Sequence, residues 1–316
     1  MYVHYAAESV HWNTGKHALD DRAVCTNSSV FTIHTGNGTT SHIEDFDKAN
    51  GSNLIESYNV RQNKDEIYMR INPNKNFNGY IADSYSKFKE VVQKLFDEIG
   101  VTDFKWKRID LSFNTMESRY YENYTKLNRL LIACIADSAC DYNTHDTRNF
   151  WNGRTKSLVT KNGYREAEFY DKNDESNGKS PYYGRLELRS KRIGDSIEHE
   201  FLELWFDRLD KAAMHFEEVQ HRFNRNMAQL YLEDLAKKKK DREFLSVNSF
   251  LMTRKDYIFT SSQMKELLMM IGFSEDKAKN KAYNFKKLHT IEYYKKEDLD
   301  FIIADIKAKI TDYFSK

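Results

Sequence analysis

The sequence is poor in the residues that punctuate, staple or embed a chain. Only 2 prolines occur in 316 residues, and no low-complexity tract is present apart from Lys237–Lys240, so no biased-composition segment is expected. Its 3 cysteines, Cys25, Cys134 and Cys140, form no CxxC pair. An odd, sparse count suits a reducing cytoplasm. Cys134 lies in the apolar run LLIACIA and reads as a core thiol. No run approaches the length of a membrane span. The opening MYVHYAAESVHW has no basic stretch followed by an apolar one, so no secretory signal is expected. There is no GK[ST], and Gly36-Asn37-Gly38 is too short for a phosphate loop. ATP use is therefore not expected. Net charge is only +1, so any case for a nucleic-acid partner must rest on a local concentration of charge.

What is present is an ordinary globular composition, 40% hydrophobic and 31% charged, with 20 Tyr and 20 Phe. The length allows a substantial core and two domains. Period-two patterning predicts strands at Val30–His34, Asn53–Arg61, Glu66–Asn72 and Asp103–Thr115, with a hairpin turning at Asn63–Asp65. In the last of these, Phe104, Trp106 and Arg108 alternate with Lys105 and Lys107, and the run continues through Asp110 and Ser112. Short strands are expected at Thr144–Trp151 and Lys156–Thr160. Apolar spacing near three and four predicts helices at Asp83–Ile99, which Gly100 stops, and at Arg119–Ala139. A long helical region, or two helices in sequence, follows over Asp195–Lys239. This order predicts an α+β domain with a mostly antiparallel sheet, helices on one face and the other face open for a polynucleotide.

The stretch Tyr164–Arg192 carries the chemistry. It reads as two strands joined by the turn-rich DKNDESNGKSP. Alternation puts Tyr164, Glu166, Glu168 and Tyr170 on one face of the first strand. Arg185, Glu187 and Arg189 share a face of the second, with Leu186 and Leu188 behind them. One sheet face thus collects tyrosine, carboxylate and arginine, the groups used in metal-assisted phosphoryl transfer. Asp110 and Glu187 are carboxylates flanked by Ile109 and Leu111, and by Leu186 and Leu188. A carboxylate so placed needs a partner or an ion. The candidates are a divalent metal, or a salt bridge to Arg108, Arg185 or Arg189.

The order of three motifs, Arg108–Asn114 (RIDLSFN), then FYDK, then RLELR, resembles the Rep_trans-type rolling-circle plasmid replication initiators and the related conjugative relaxases. The resemblance covers roughly residues 100–192. It implies a nickase-like domain and a metal-dependent DNA nicking and joining endonuclease. Tyr170, the tyrosine of FYDK, would be the nucleophile and Tyr164 its rival. A tyrosine hydroxyl attacks the phosphodiester, forms a phosphotyrosine and releases a 3′-hydroxyl. Lys172 would lower the Tyr170 pKa or stabilise the leaving oxygen. Asp110 and Glu187, with Glu168 as a third, would bind Mg²⁺ or Mn²⁺. Arg185 and Arg189 would hold phosphate oxygens. The His-hydrophobe-His pair of the wider nickase group is missing, which argues against a histidine-ligated metal. The resemblance also implies an origin of replication or transfer as DNA partner, single-stranded or hairpin at the nick, with a host helicase and a homodimer as further partners.

The run Lys237–Lys240 marks the expected boundary between a catalytic domain, 1–236, and a small all-α domain, 237–316. Helices are predicted there at Ser262–Ile271, Glu275–Leu288 and Asp298–Phe314, with Gly272-Phe273-Ser274 as a tight turn. Helix, glycine turn and basic helix fit a helix-turn-helix. Lys277, Lys279, Lys281, Lys286 and Lys287 interleave with Tyr283 and Phe285, which suits phosphate contact with some stacking. The competing reading is a non-catalytic origin-binding initiator or regulator with helix-turn-helix or winged modules. A third is an RNA-binding or phage-encoded protein that stacks bases on its aromatics.

Overall fold

The computed structural model describes residues 24–34, 55–61, 66–72, 84–100, 104–115, 128, 130–135, 158–159, 164–179, 184–191, 193–194, 196–240, 246–289 and 293–316. Seven strands are present among them: β1 Val24–His34, β2 Ile55–Arg61, β3 Glu66–Ile71, β4 Phe104–Thr115, β5 Leu158–Val159, β6 Arg165–Asp171 and β7 Gly184–Ser190. They form one sheet in the order β2-β3-β1-β4-β7-β6-β5. Every recorded pairing is antiparallel, so the α+β class with an antiparallel sheet is observed. The expected hairpin is β2–β3. The expected strand over Thr144–Trp151 lies outside the described residues, as does most of the helix over Arg119–Ala139. Residues 130–135 of that helix are helical and buried.

The apolar residues of the three strands around the site alternate as their sequences require. Ile109, Leu111 and Phe113 of β4, Leu186 and Leu188 of β7, and Ala167 and Phe169 of β6 are all fully buried. Helix α1, Tyr85–Ile99, begins at Ser84, whose side chain accepts from the Lys87 amide, and ends at Gly100 with φ +70°. It buries Phe88, Val91, Val92, Leu95 and Phe96. Phe88 meets Trp106 at 5.6 Å and Phe96 meets Phe104 at 4.3 Å between ring centroids.

One sequence expectation changes here. Val30 pairs with Arg108, but the next residue, Phe31, pairs with Trp106. Lys107 is therefore an extra residue in β4, a bulge. A one-residue slip exchanges the two faces of a strand. The bulge separates Phe104 and Trp106, which pack against α1, from Asp110 and Ser112.

After β6 comes a short helix, α2, Lys172–Glu175. After β7 the chain turns into α3, Ile197–His199, a π-helical turn over Glu200–Leu204, and α4, Trp205–Met214. A buried polar network ties this corner to the sheet. Trp205 Nε1 donates to Ser190 Oγ at 2.8 Å, and Ser190 Oγ donates to Glu200 at 2.7 Å. Arg165 of β6 donates to the same Glu200 carboxylate at 3.0 Å. Ser190 adjoins Arg189 in sequence, so the network anchors the end of β7 that bears the site.

Helix α5, Phe216–Lys240, runs through position 237. Beyond it lie α6 Val247–Met252, α7 Ser261–Met270, α8 Glu275–His289 and α9 Lys296–Ser315. Helices α7 and α8 form the expected helix, glycine turn and basic helix. α7 leans on α5, while α9 returns to pack against α1 and α4. Tyr85 meets Phe314 at 4.9 Å, and Lys307 pairs with Asp210 at 2.8 Å.

Candidate active site

Register assembles the site. Across β4 and β7, Asp110 faces Arg189, Ser112 faces Glu187, and Asn114 faces Arg185. Across β7 and β6, Arg189 faces Glu166, Glu187 faces Glu168, and Arg185 faces Tyr170. The face predicted from alternation is therefore real, and β7 lies at its centre.

That face is not open, which corrects the expectation of a bare surface for a polynucleotide. Asp110, Ser112, Asn114, Glu166 and Glu187 are each at most 4% exposed and Arg185 is 8% exposed. Tyr170, Glu168, Arg189 and Arg108 are intermediate and form a more accessible margin.

Buried charge requires neutralisation; Lys191 supplies it for Glu166 at 2.5 Å, and three arginines supply it for the rest. Arg108 donates to both oxygens of Asp110, at 2.8 and 2.5 Å. Arg189 donates through two nitrogens to Glu187 Oε2, at 3.0 and 2.5 Å. Its guanidinium also pairs with Glu168 and lies 3.6 Å from Asp110. Arg185 donates to Asn114 Oδ1 at 2.6 Å and lies 3.8 Å from Glu187. Glu187 and Glu168 stand directly opposite each other, a repulsive cross-strand pair. The shared Arg189 makes that pair tenable.

The Tyr170 hydroxyl donates to Glu187 Oε1 at 2.8 Å. Burial, reinforced by the Glu187 charge, pushes the phenol far above its ordinary pKa. For Glu187, burial opposes the charged form, but Arg189 and Arg185 outweigh it and hold the carboxyl below its usual range. Burial raises Asp110 above its usual value, although Arg108 opposes the rise. Lys172 lies 5.8 Å from the Tyr170 ring centroid and is paired with Glu175 at 2.5 Å.

The structure thus brings together Tyr170, Glu187, Glu168, Asp110, Arg185 and Arg189, with Lys172 beside them. Tyr164, the rival nucleophile, is 56% exposed. It lies six residues along the strand from Tyr170, roughly 20 Å away. Asn114 was missed by sequence reasoning, although it shares the parity of Asp110. The five lysines of α8 lie in a different part of the molecule. Lys277, Lys279, Lys286 and Lys287 are exposed and Lys281 is half-buried.

The donors suit Mg²⁺ or Mn²⁺ in kind. Three carboxylates converge on one cation, and the buried Ser112 hydroxyl beside them has no hydrogen-bond partner. The cation at that point is the Arg189 guanidinium. Among the described residues no group of three or more His, Cys, Asp or Glu side chains is placed to hold a metal ion.

No family model and no curated protein matches the sequence. Among solved structures, the rolling circle replication initiator protein from Geobacillus stearothermophilus is similar over 54% of this chain and 74% of its own. The identity is 12% and the TM-score 0.27. That relationship to rolling-circle initiators is weak and carries no argument about the site. Among the described residues no helix is long and apolar enough to cross a membrane.

Proposed function

We propose that this chain initiates DNA replication by nicking and rejoining one strand at an origin, with Tyr170 as the nucleophile. The observation that carries this reading is the 2.8 Å hydrogen bond from the Tyr170 hydroxyl to Glu187, on a sheet face lined with arginine. A tyrosine whose proton already points at a carboxylate has its general base in place.

At rest the pair is not primed. The phenol holds its proton tightly, and Glu187 is a weak base because two arginines stabilise its charge. A phosphodiester is the ligand that changes this. Its anionic oxygens attract Arg189 and Arg185 away from Glu187, and the carboxylate regains basicity. Tyr170 Oη then forms a bond to phosphorus while its proton passes to Glu187. The bond from phosphorus to the 3′ oxygen breaks, and that oxygen takes a proton from Lys172 to become a 3′-hydroxyl. Rejoining is the reverse. Asp110 and Glu168, with the Ser112 hydroxyl, would hold Mg²⁺ or Mn²⁺, and Glu187, expected from the sequence as a further ligand, would be kept for the proton. The metal's chemistry there is neutralisation of the phosphate charge.

The test is incubation with supercoiled DNA carrying the cognate origin, with Mn²⁺ or with EDTA, comparing wild type and Tyr170→Phe. Relaxed DNA and a covalent protein–DNA adduct are expected from wild type with metal. Both should be lost in Tyr170→Phe and in EDTA. An adduct that survives Tyr170→Phe moves the nucleophile elsewhere.

The complete pairing of Asp110, Glu168 and Glu187 with arginines favours a second reading, a non-catalytic origin-binding protein in which this network is structural. Tight, metal-independent binding to the same DNA with no adduct from either protein would establish it.

A further inference from the structure

Helix α8 has a division of labour that its charge alone does not reveal. Its buried residues, Ala278, Ala282 and Phe285, mark the stripe turned toward the protein. At about 100° per residue, the opposite stripe is Asn280, Tyr283, Asn284 and Lys287, and all four are exposed. The lysines stand on both shoulders of that stripe. Lys279 and Lys286 lie on one side, and Lys277 and Lys281 on the other. Two of them are ordered by aromatic rings. Lys281 lies 5.6 Å from the Phe273 centroid, and Lys286 lies 5.1 Å from that of Tyr293.

The helix is held firmly at its start. Gly272 has φ +103°, and the Phe273 amide donates back to Leu268 O at 3.0 Å. Glu275 is tied to Lys265 of α7, which removes one of the two acids at the N-terminal end from play. Asp276 remains at that end of the outward stripe, so phosphate and base contacts belong to the middle and last turns.

We propose that α8 lies in the major groove of duplex DNA and reads base edges through Asn280 and Asn284. Its shoulder lysines grip the two flanking phosphate rows. The groove, about 12 Å wide, admits a helix and is bordered by phosphates. A stripe whose middle turn is uncharged (Asn280, Tyr283 and Asn284), closed by Lys287 in the last turn and set between two basic shoulders, matches that cross-section, whereas an even basic coat would match any polyanion. An asparagine amide pairs with the N6 and N7 edge of adenine. Asn280 and Asn284 are one turn apart, about 6 Å along the helix axis, which is within two base steps. The preferred site therefore carries adenine at two neighbouring positions. This inference rests on the DNA-binding part of the proposed function and is independent of Tyr170 chemistry.

The experiment uses the full chain carrying Tyr170→Phe, so that nothing is cut, and a randomised duplex library of about 20 base pairs. An enriched motif with two close adenines is expected. Asn280→Ala and Asn284→Ala should each lose preference at one position, by about tenfold to a hundredfold. Lys279→Ala and Lys286→Ala should instead weaken binding to all sequences and flatten its salt dependence by about one unit of slope each. All four side chains are exposed or at the helix surface, and matched melting curves confirm folding. The inference is overturned if the asparagine variants enrich the same motif equally, or if no duplex is enriched. Enrichment of single strands or RNA in place of duplex also overturns it. The adduct assay separates the two readings. An adduct from wild type with no asparagine-dependent motif removes this inference alone, and a motif without an adduct removes the catalytic one alone.

Discussion

Arg189 decides the character of the site, because one guanidinium serves Glu187, Glu168 and Asp110. Replacing it with glutamine leaves buried carboxylates facing one another. Losing one partner of a buried pair costs about 3–5 kcal/mol. The pH dependence follows from Glu187. Its depressed pKa in the folded wild type means that its contribution to stability is present above the ordinary carboxylate value and lost as pH falls. Without Arg189, burial dominates and the folded pKa rises above the unfolded one. The contribution then reverses sign, present at low pH and lost as pH rises. The melting temperature of Arg189→Gln should lie close to that of wild type near pH 4 and fall progressively further below it toward pH 8. A constant gap across that range would show that Glu187 does not depend on Arg189. The arginines on this face were visible in the sequence. Their sharing was not, because it depends on which residues stand opposite one another across three strands.

Among elements, the turn between α7 and α8 has the simplest rule. Gly272 adopts φ +103°, and a Cβ added there would meet nothing within 4 Å. Space is not the obstacle to a side chain; the backbone conformation is. Gly272→Val should cost about 1–3 kcal/mol. Gly194→Ala, at a glycine with open space and no positive φ, should be near neutral. Equal melting of the two variants would sink the conformational argument. The helix-turn-helix was legible because glycine, capping and period 3.6 are all local signals. The β4 bulge was passed over because the even positions were followed straight through from Phe104 to Ser112, and only the pairing with β1 makes Lys107 the extra residue. Its trace in the sequence is a change of parity: the apolar residues run Phe104, Trp106 and then Ile109, Leu111, Phe113, and the polar pair Lys107-Arg108 stands at the change.

At the scale of the molecule, α9 joins the end of the chain to its middle. Tyr313 is 1% exposed, and its neighbour Phe314 stacks on Phe201 at 6.1 Å. Removing a buried aromatic ring costs about 3–5 kcal/mol. Tyr313→Ala should therefore lower the melting of the sheet and its helices as well as that of α9. Calorimetry on wild type should show the sheet and α9 unfolding in one transition. If Tyr313→Ala shifts only a minor transition and leaves the main one in place, α9 is an appendage and not part of the core.

By itself the sequence determined the local periods and the inventory of chemistry. The alternation of β6 and β7, the apolar stripes of the helices, the capped start and glycine stop of α1, and the basic composition of α8 all follow from neighbours within a turn or two along the chain. Even the collection of Tyr170, Glu187, Arg185 and Arg189 on one face was readable, because side-chain direction in a strand depends only on parity. Tertiary structure decided which of these groups meet. Tyr170 touches Glu187 and Tyr164 does not, because β6 and β7 pair in one register. The carboxylates are matched by arginines on a buried face because low dielectric penalises any charge left alone. That penalty is set by burial and by partners distant in sequence, and parity carries no information about either.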